Sequence, residues 1–180
     1  NNRFHYVVDK NIAPAVYFIV AGKLAPQQIF FGAGDSLHLD YRSDGKSAKF
    51  ITGGNRLPEN EFIKNNGGGN NFQLYYLENF GFEMKPNVFA AELKLQWEKE
   101  TARIENFKTA DNLKPADEFI LLQKKLATLR YLKLLDIKYT QWFRVYHPNE
   151  TLVFPKTIDE IRKTVDLNDS SLMSYSQYRD

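Results

Sequence analysis

The sequence predicts an α+β fold: a small antiparallel sheet or β-sandwich in the N-terminal third, packed with an α-helical C-terminal portion. Two observations carry this. Up to about Gly54 the apolar residues alternate or cluster in short runs between turn residues. From about Val88 they recur every three to four residues over long, glycine-poor stretches. A period near two belongs to strands and one near 3.6 to helices, so sheet comes first and helices follow. A third observation, 43% hydrophobic and 26% charged residues in a chain of 180, is what a soluble domain with a sizeable core needs. The division is expected at 1–55 for an antiparallel β subdomain and 56–180 for a helical one, the two forming one compact domain.

Taken in order, Phe4 to Asp9 and Val16 to Ala21 read as strands separated by Lys10-Asn11-Ile12-Ala13-Pro14. Gln28 to Phe31 is a short third strand. Gly32-Ala33-Gly34-Asp35 is a turn in which glycine supplies a positive φ. Leu37, Leu39 and Tyr41 then alternate with Ser36, His38 and Asp40, the pattern of a half-buried strand. Ser43-Asp44-Gly45-Lys46 reads as a hairpin turn into Ala48-Lys49-Phe50-Ile51, and Gly53-Gly54 closes the region.

Pro58 to Ile63 opens a short helix. Asn65 to Asn71, with Gly67-Gly68-Gly69, reads as a surface loop open to nicking, and the aromatic run Phe72 to Phe82 as helical. Phe89, Leu93, Trp97, Thr101, Ile104 and Lys108 step by three or four, which makes Val88 to about Lys108 an amphipathic helix. Lys114-Pro115-Ala116-Asp117-Glu118 is a start signal, with proline in the first turn and acids at the positive end of the dipole. From there Phe119, Leu122, Leu126, Leu129, Leu132, Tyr139 and Phe143 carry a long helix towards Tyr146, and Pro148 stops it. Thr157-Ile158-Asp159-Glu160 reads as a capping box for a last modest helix through Thr164. Leu172, Tyr175 and Tyr178 step at helical spacing and run to Asp180 with no terminator, so a longer gene product is expected.

The net charge of +2, with Lys and Glu interspersed, offers no basic footprint for nucleic acid. No apolar run reaches the length of a transmembrane helix. The chain has no cysteine, which removes disulfides, thiolate metal sites and thiol chemistry from its own repertoire. Large rings, 14 Phe and 10 Tyr, are expected to dominate the packing.

Reactive groups are scattered. Gly32-Ala33-Gly34 looks like part of a dinucleotide loop, but Leu37 holds the place of the third glycine and a strand follows, so no helix N-terminus would meet a pyrophosphate. Gly67-Gly68-Gly69 has no Lys-Ser/Thr after it and is no phosphate loop. His5, His38 and His147 lack metal-ligand spacing, and His38 falls on the polar face of its strand. Asp35-Ser36 sets an acid beside a hydroxyl, for which side-chain capping of the turn is the expected role. Glu59, Glu61, Glu78, Glu83 and Glu92 are acids without a recognisable pairing. Glu98, Lys99, Glu100 and Arg103 read as a solvated helix face. Tyr75-Tyr76, Trp97 and Trp142 are core candidates first and groove-lining candidates second. No catalytic, cofactor-binding or metal-ligating residue is assigned, and no cofactor is expected.

One pattern runs through most of the chain: Gln28-Ile29-Phe30-Phe31-Gly32-Ala33-Gly34-Asp35-Ser36-Leu37-His38-Leu39, then Ala48-Lys49-Phe50-Ile51-Thr52-Gly53-Gly54-Asn55, then Asp166-Leu167-Asn168-Asp169-Ser170-Ser171-Leu172 ahead of Tyr175 and Tyr178. It resembles the region before the thioredoxin-like domain in TlpA/ResA-like thiol-disulfide oxidoreductases of the Gram-negative cell envelope. There the turn commonly reads Pro-Gly-Asp-Ser-Leu; here Ala33 stands in the proline's place. The family's Cys-x-x-Cys is absent from this chain, and no family catalytic residue maps onto it. The resemblance implies a non-catalytic N-terminal accessory domain, in the periplasm or associated with the outer membrane, that positions a thioredoxin-like domain in cis or engages that domain's envelope partners. Two alternatives from the residues themselves are a stand-alone peptide- or glycan-binding module with an aromatic groove, and a carboxylate-based hydrolase.

Overall fold

A computed structural model describes residues 12–20, 27–39, 51–65, 84–149, 151, 153–166, 169 and 172. Strand β1 (Ala15–Ile19) pairs antiparallel with β2 (Gln27–Phe31), setting Ala15 opposite Phe31 and Ile19 opposite Gln27. Strand β3 (Leu37–Leu39) pairs antiparallel with β4 (Ile51–Gly54). Among the described residues four helices follow: α1 (Leu57–Asn65), α2 (Pro86–Asn106), α3 (Asp117–Tyr146) and α4 (Lys156–Arg162). The architecture is α+β, with strands ahead of helices.

The β-sandwich does not appear among the described residues. Their strands form two separate two-stranded ladders, β1–β2 and β3–β4, and α1 lies against β2 and β4. A helix already supplies a cover that a second sheet would have supplied. Nor is the alternation over Leu37 to Leu39 matched by burial: Leu37 is half-buried, but Leu39 is exposed. The register shifts between His38 and Leu39, and such an irregularity re-aims the side chains beyond it. Gly53 and Gly54 belong to β4 instead of merely following it. Gly54 has φ +115°, and a Cβ built there would sit 2.1 Å from the Ser36 carbonyl oxygen, so both conformation and close approach demand glycine. Gly34, at φ +78°, supplies the positive angle expected of the turn.

Helix α3 is the axis of the molecule. Its thirty residues bury consecutive positions, Leu126 to Leu129, and then Tyr131, Leu132, Leu134 and Leu135, more than a single stripe. The cause is that two apolar clusters meet it. One gathers Phe89 and Leu93 of α2, Leu126, Leu129, Tyr131, Leu132, Leu134, Leu135 and Tyr139 of α3, Ile158 of α4, Val165 and Leu172. The other gathers Phe30 of β2, Phe62 and Ile63 of α1, Ile104 of α2, and Phe119 and Ala127 of α3. Here aromatic edges pack on faces, with Phe30 and Phe119 centroids 4.8 Å apart and Phe62 and Phe119 5.5 Å apart. Strand β2 and helices α1, α2 and α3 therefore share this second cluster.

Helix starts depart from their signals in two places. Helix α3 begins at Asp117, so Pro115 precedes the N-cap Ala116 and is not in the first turn; Asp117 and Glu118 do sit at the dipole's positive end. Helix α4 begins at Lys156 with Pro155 as N-cap and no side-chain cap. The capping box is thus replaced: Thr157 falls inside the first turn, because Pro155, with its fixed φ, already sets the entry. Phe4 to Asp9, the Ser43 to Lys46 turn, the loop at 66–71, the run Phe72 to Phe82 and the segment after Leu172 lie outside the described residues. Among the described residues no helix is long and apolar enough to cross a membrane.

Candidate functional site

Among the described residues, charged and polar side chains gather where the β2–β3 turn, the start of α1 and the head of α3 meet. Asp35 comes from the turn. Its Oδ2 accepts the Gly32 N–H at 2.8 Å, which closes the turn as a side-chain cap. Its Oδ1 accepts the Asn55 amide at 2.9 Å, and both oxygens accept Arg56 Nε at 2.9 Å. Asn55 in turn accepts the Ser36 N–H at 2.9 Å. Backbone and side chain thereby lock the turn to the end of β4.

Arg56 is the hub. Besides Asp35, it reaches Glu59 Oε1 at 3.4 Å one helical turn on, and Glu118 at 2.9 Å in the first turn of α3. The guanidinium also lies over the Phe30 ring, 5.4 Å from its centroid. The Arg56 side chain is 16% exposed and that of Asp35 only 4%, whereas Glu118 is 57% exposed. Burial by itself lowers the basicity of Arg56. Hydrogen bonds and charge from Asp35 and Glu118 outweigh it and hold the guanidinium above its ordinary pKa.

Glu59 joins two helices. Its Oε1 accepts the N–H of Ala116, 57 residues on, at 3.0 Å. Ala116 is the N-cap of α3 and brings no capping side chain of its own. A carboxylate from α1 therefore satisfies one of the donors that every helix start leaves open, at the end where the dipole favours negative charge. The other oxygen, Oε2, is buried and accepts no hydrogen bond.

Asn60 completes the junction. Its Oδ1 accepts the Phe30 N–H at 2.8 Å, and its amide donates to the Phe30 carbonyl at 3.0 Å and to the Arg56 carbonyl at 2.7 Å. The side chain imitates a neighbouring strand for one residue of β2. Phe30 is 1% exposed, so its two backbone groups have no water to turn to.

The remaining candidates disperse. His38 is exposed on β3 with its ring over Gly53, and His147 is the C-cap of α3 beside Phe143; they do not come together, and His5 lies outside the described residues. Of the five acids, Glu59 enters the junction, Glu61 is half-buried, Glu92 is exposed, and Glu78 and Glu83 lie outside the described residues. Trp97 is at the α2–α3 interface: its Nε1 donates to the Thr128 hydroxyl at 3.2 Å and its ring stacks on Tyr131 at 5.3 Å. Trp142 packs on Tyr146 at 4.2 Å near the end of α3, and Tyr75-Tyr76 lie outside the described residues. Glu100 and Arg103 pair with each other on the α2 face. Among the described residues no group of three or more His, Asp or Glu side chains is arranged to hold a metal ion.

Arg56, Asn55 and Asn60 are the members that sequence reasoning passed over. A signal existed for Asn60: with Glu59 it shares the helical stripe of Ile63, so two polar residues stand on an apolar face. Chemically, each Asp35 oxygen already accepts two hydrogen bonds, and Arg56 is shared among three carboxylates. Groups so engaged connect elements and have little left for a ligand. No protein-family model, no curated protein and no solved structure matches this chain.

Proposed function

We propose that this chain is a non-catalytic accessory module of the cell envelope that holds and orients a following thioredoxin-like domain, or receives that domain's partner. The observation that carries the reading is the Arg56 junction. The charged and polar side chains drawn together there bind one another and the backbone of β2, of the turn after it and of the head of α3, and so join parts of a scaffold. The lack of cysteine assigns any thiol exchange to another stretch of polypeptide. A firmly packed module beside a tethered redox site raises that site's concentration near its target, to about millimolar for a short flexible linker. The placement in the periplasm or at the outer membrane, and the redox partner, come from the resemblance of the Gly32 to Leu39 turn and the segments that follow it.

Two experiments test this. The encoding reading frame is expected to place a Cys-x-x-Cys motif within about one domain length after Asp180; a different domain there removes the redox role. In a polypeptide carrying both parts, deleting residues 1–180 is expected to slow disulfide exchange with a protein substrate and to leave exchange with a small dithiol unchanged. An equal loss on both substrates contradicts a positioning role.

A further inference from the structure

We draw no further inference here: the strongest candidate, the buried Glu59 Oε2 that accepts no hydrogen bond within the Asp35–Arg56–Glu59 cluster at the head of α3, belongs to the site already described.

Discussion

Replacing Asn60 by alanine is expected to destabilise the protein far more than an exposed helical asparagine would. The side chain is the partner of both backbone groups of Phe30, at 2.8 and 3.0 Å, and Asn60 itself is 2% exposed. Its third partner, the Arg56 carbonyl, keeps the Asn60 backbone N–H at 3.1 Å, so that group stays satisfied. The loss is therefore two buried backbone groups, each costing about 1–3 kcal/mol when left unpaired, or about 4 kcal/mol together. The better helix propensity of alanine offsets about 0.5 kcal/mol. With a urea m-value of about 2 kcal/mol/M, the midpoint should fall by about 1.5–2 M without a change in slope. Circular dichroism across a urea series reads this directly. Asn60→Asp is the informative companion: it keeps an acceptor for the Phe30 N–H but sets carboxylate oxygens against two carbonyls, and should cost at least as much at neutral pH. If Asn60→Ala costs less than about 1 kcal/mol, Phe30 finds other partners and the strand-mimic account is wrong.

Three further outcomes follow from the same geometry. Gly54→Ala should lower the melting temperature more than Gly34→Ala: both sites have positive φ, costing about 1–3 kcal/mol, but only at Gly54 does the new Cβ strike a backbone oxygen, and calorimetry of the pair checks the order. Phe119→Ala removes a ring that is 1% exposed and packed on Phe30 and Phe62, for about 3–5 kcal/mol, while Leu121→Ala, 57% exposed on the same helix, should stay within about 0.5 kcal/mol; comparable midpoints would overturn the placement of α3. Burial pushes the Tyr131 and Tyr139 hydroxyls above their ordinary pKa of 10.0, with charge on Tyr139 and Glu98 adding at Tyr131. The unfolded chain then loses those protons first, so stability should hold below pH 10 and fall as pH climbs past it; Tyr131→Phe should flatten that fall in urea midpoints measured through the alkaline range.

What the sequence disclosed and what it hid divide along physical lines. Helices α2 and α3 were legible because Phe89, Leu93 and Ile104, and Phe119, Leu126 and Leu132, repeat at the helical period and are buried where the period places them. The capping role of Asp35 was legible because a short acid after glycines has few other local uses. A sandwich is not seen among the described residues, where Phe62 and Ile63 of α1 pack in one cluster with Phe30 of β2; strand count alone does not say what covers a sheet. The junction stayed hidden for a different reason. Arg56, Asn60 and Glu118 are ordinary surface residues by type, and what makes them a unit is contact across 21 to 62 positions of chain, as in Arg56 to Asp35 and to Glu118. Periodicity carries no information at that range.

The central claim, that the charged junction exists to join sheet to helices, is tested most directly by a double-mutant cycle on Asp35→Asn and Arg56→Met, read by equilibrium unfolding. Arg56→Met strands the buried Asp35 carboxylate and should cost about 3 kcal/mol or more, Asp35→Asn leaves Arg56 with Glu59 and Glu118 and should cost less, and the double change strands no carboxylate at position 35, giving a coupling of about 2 kcal/mol. Costs that add to within about 0.5 kcal/mol would mean that the two groups act independently, and the claim would fail.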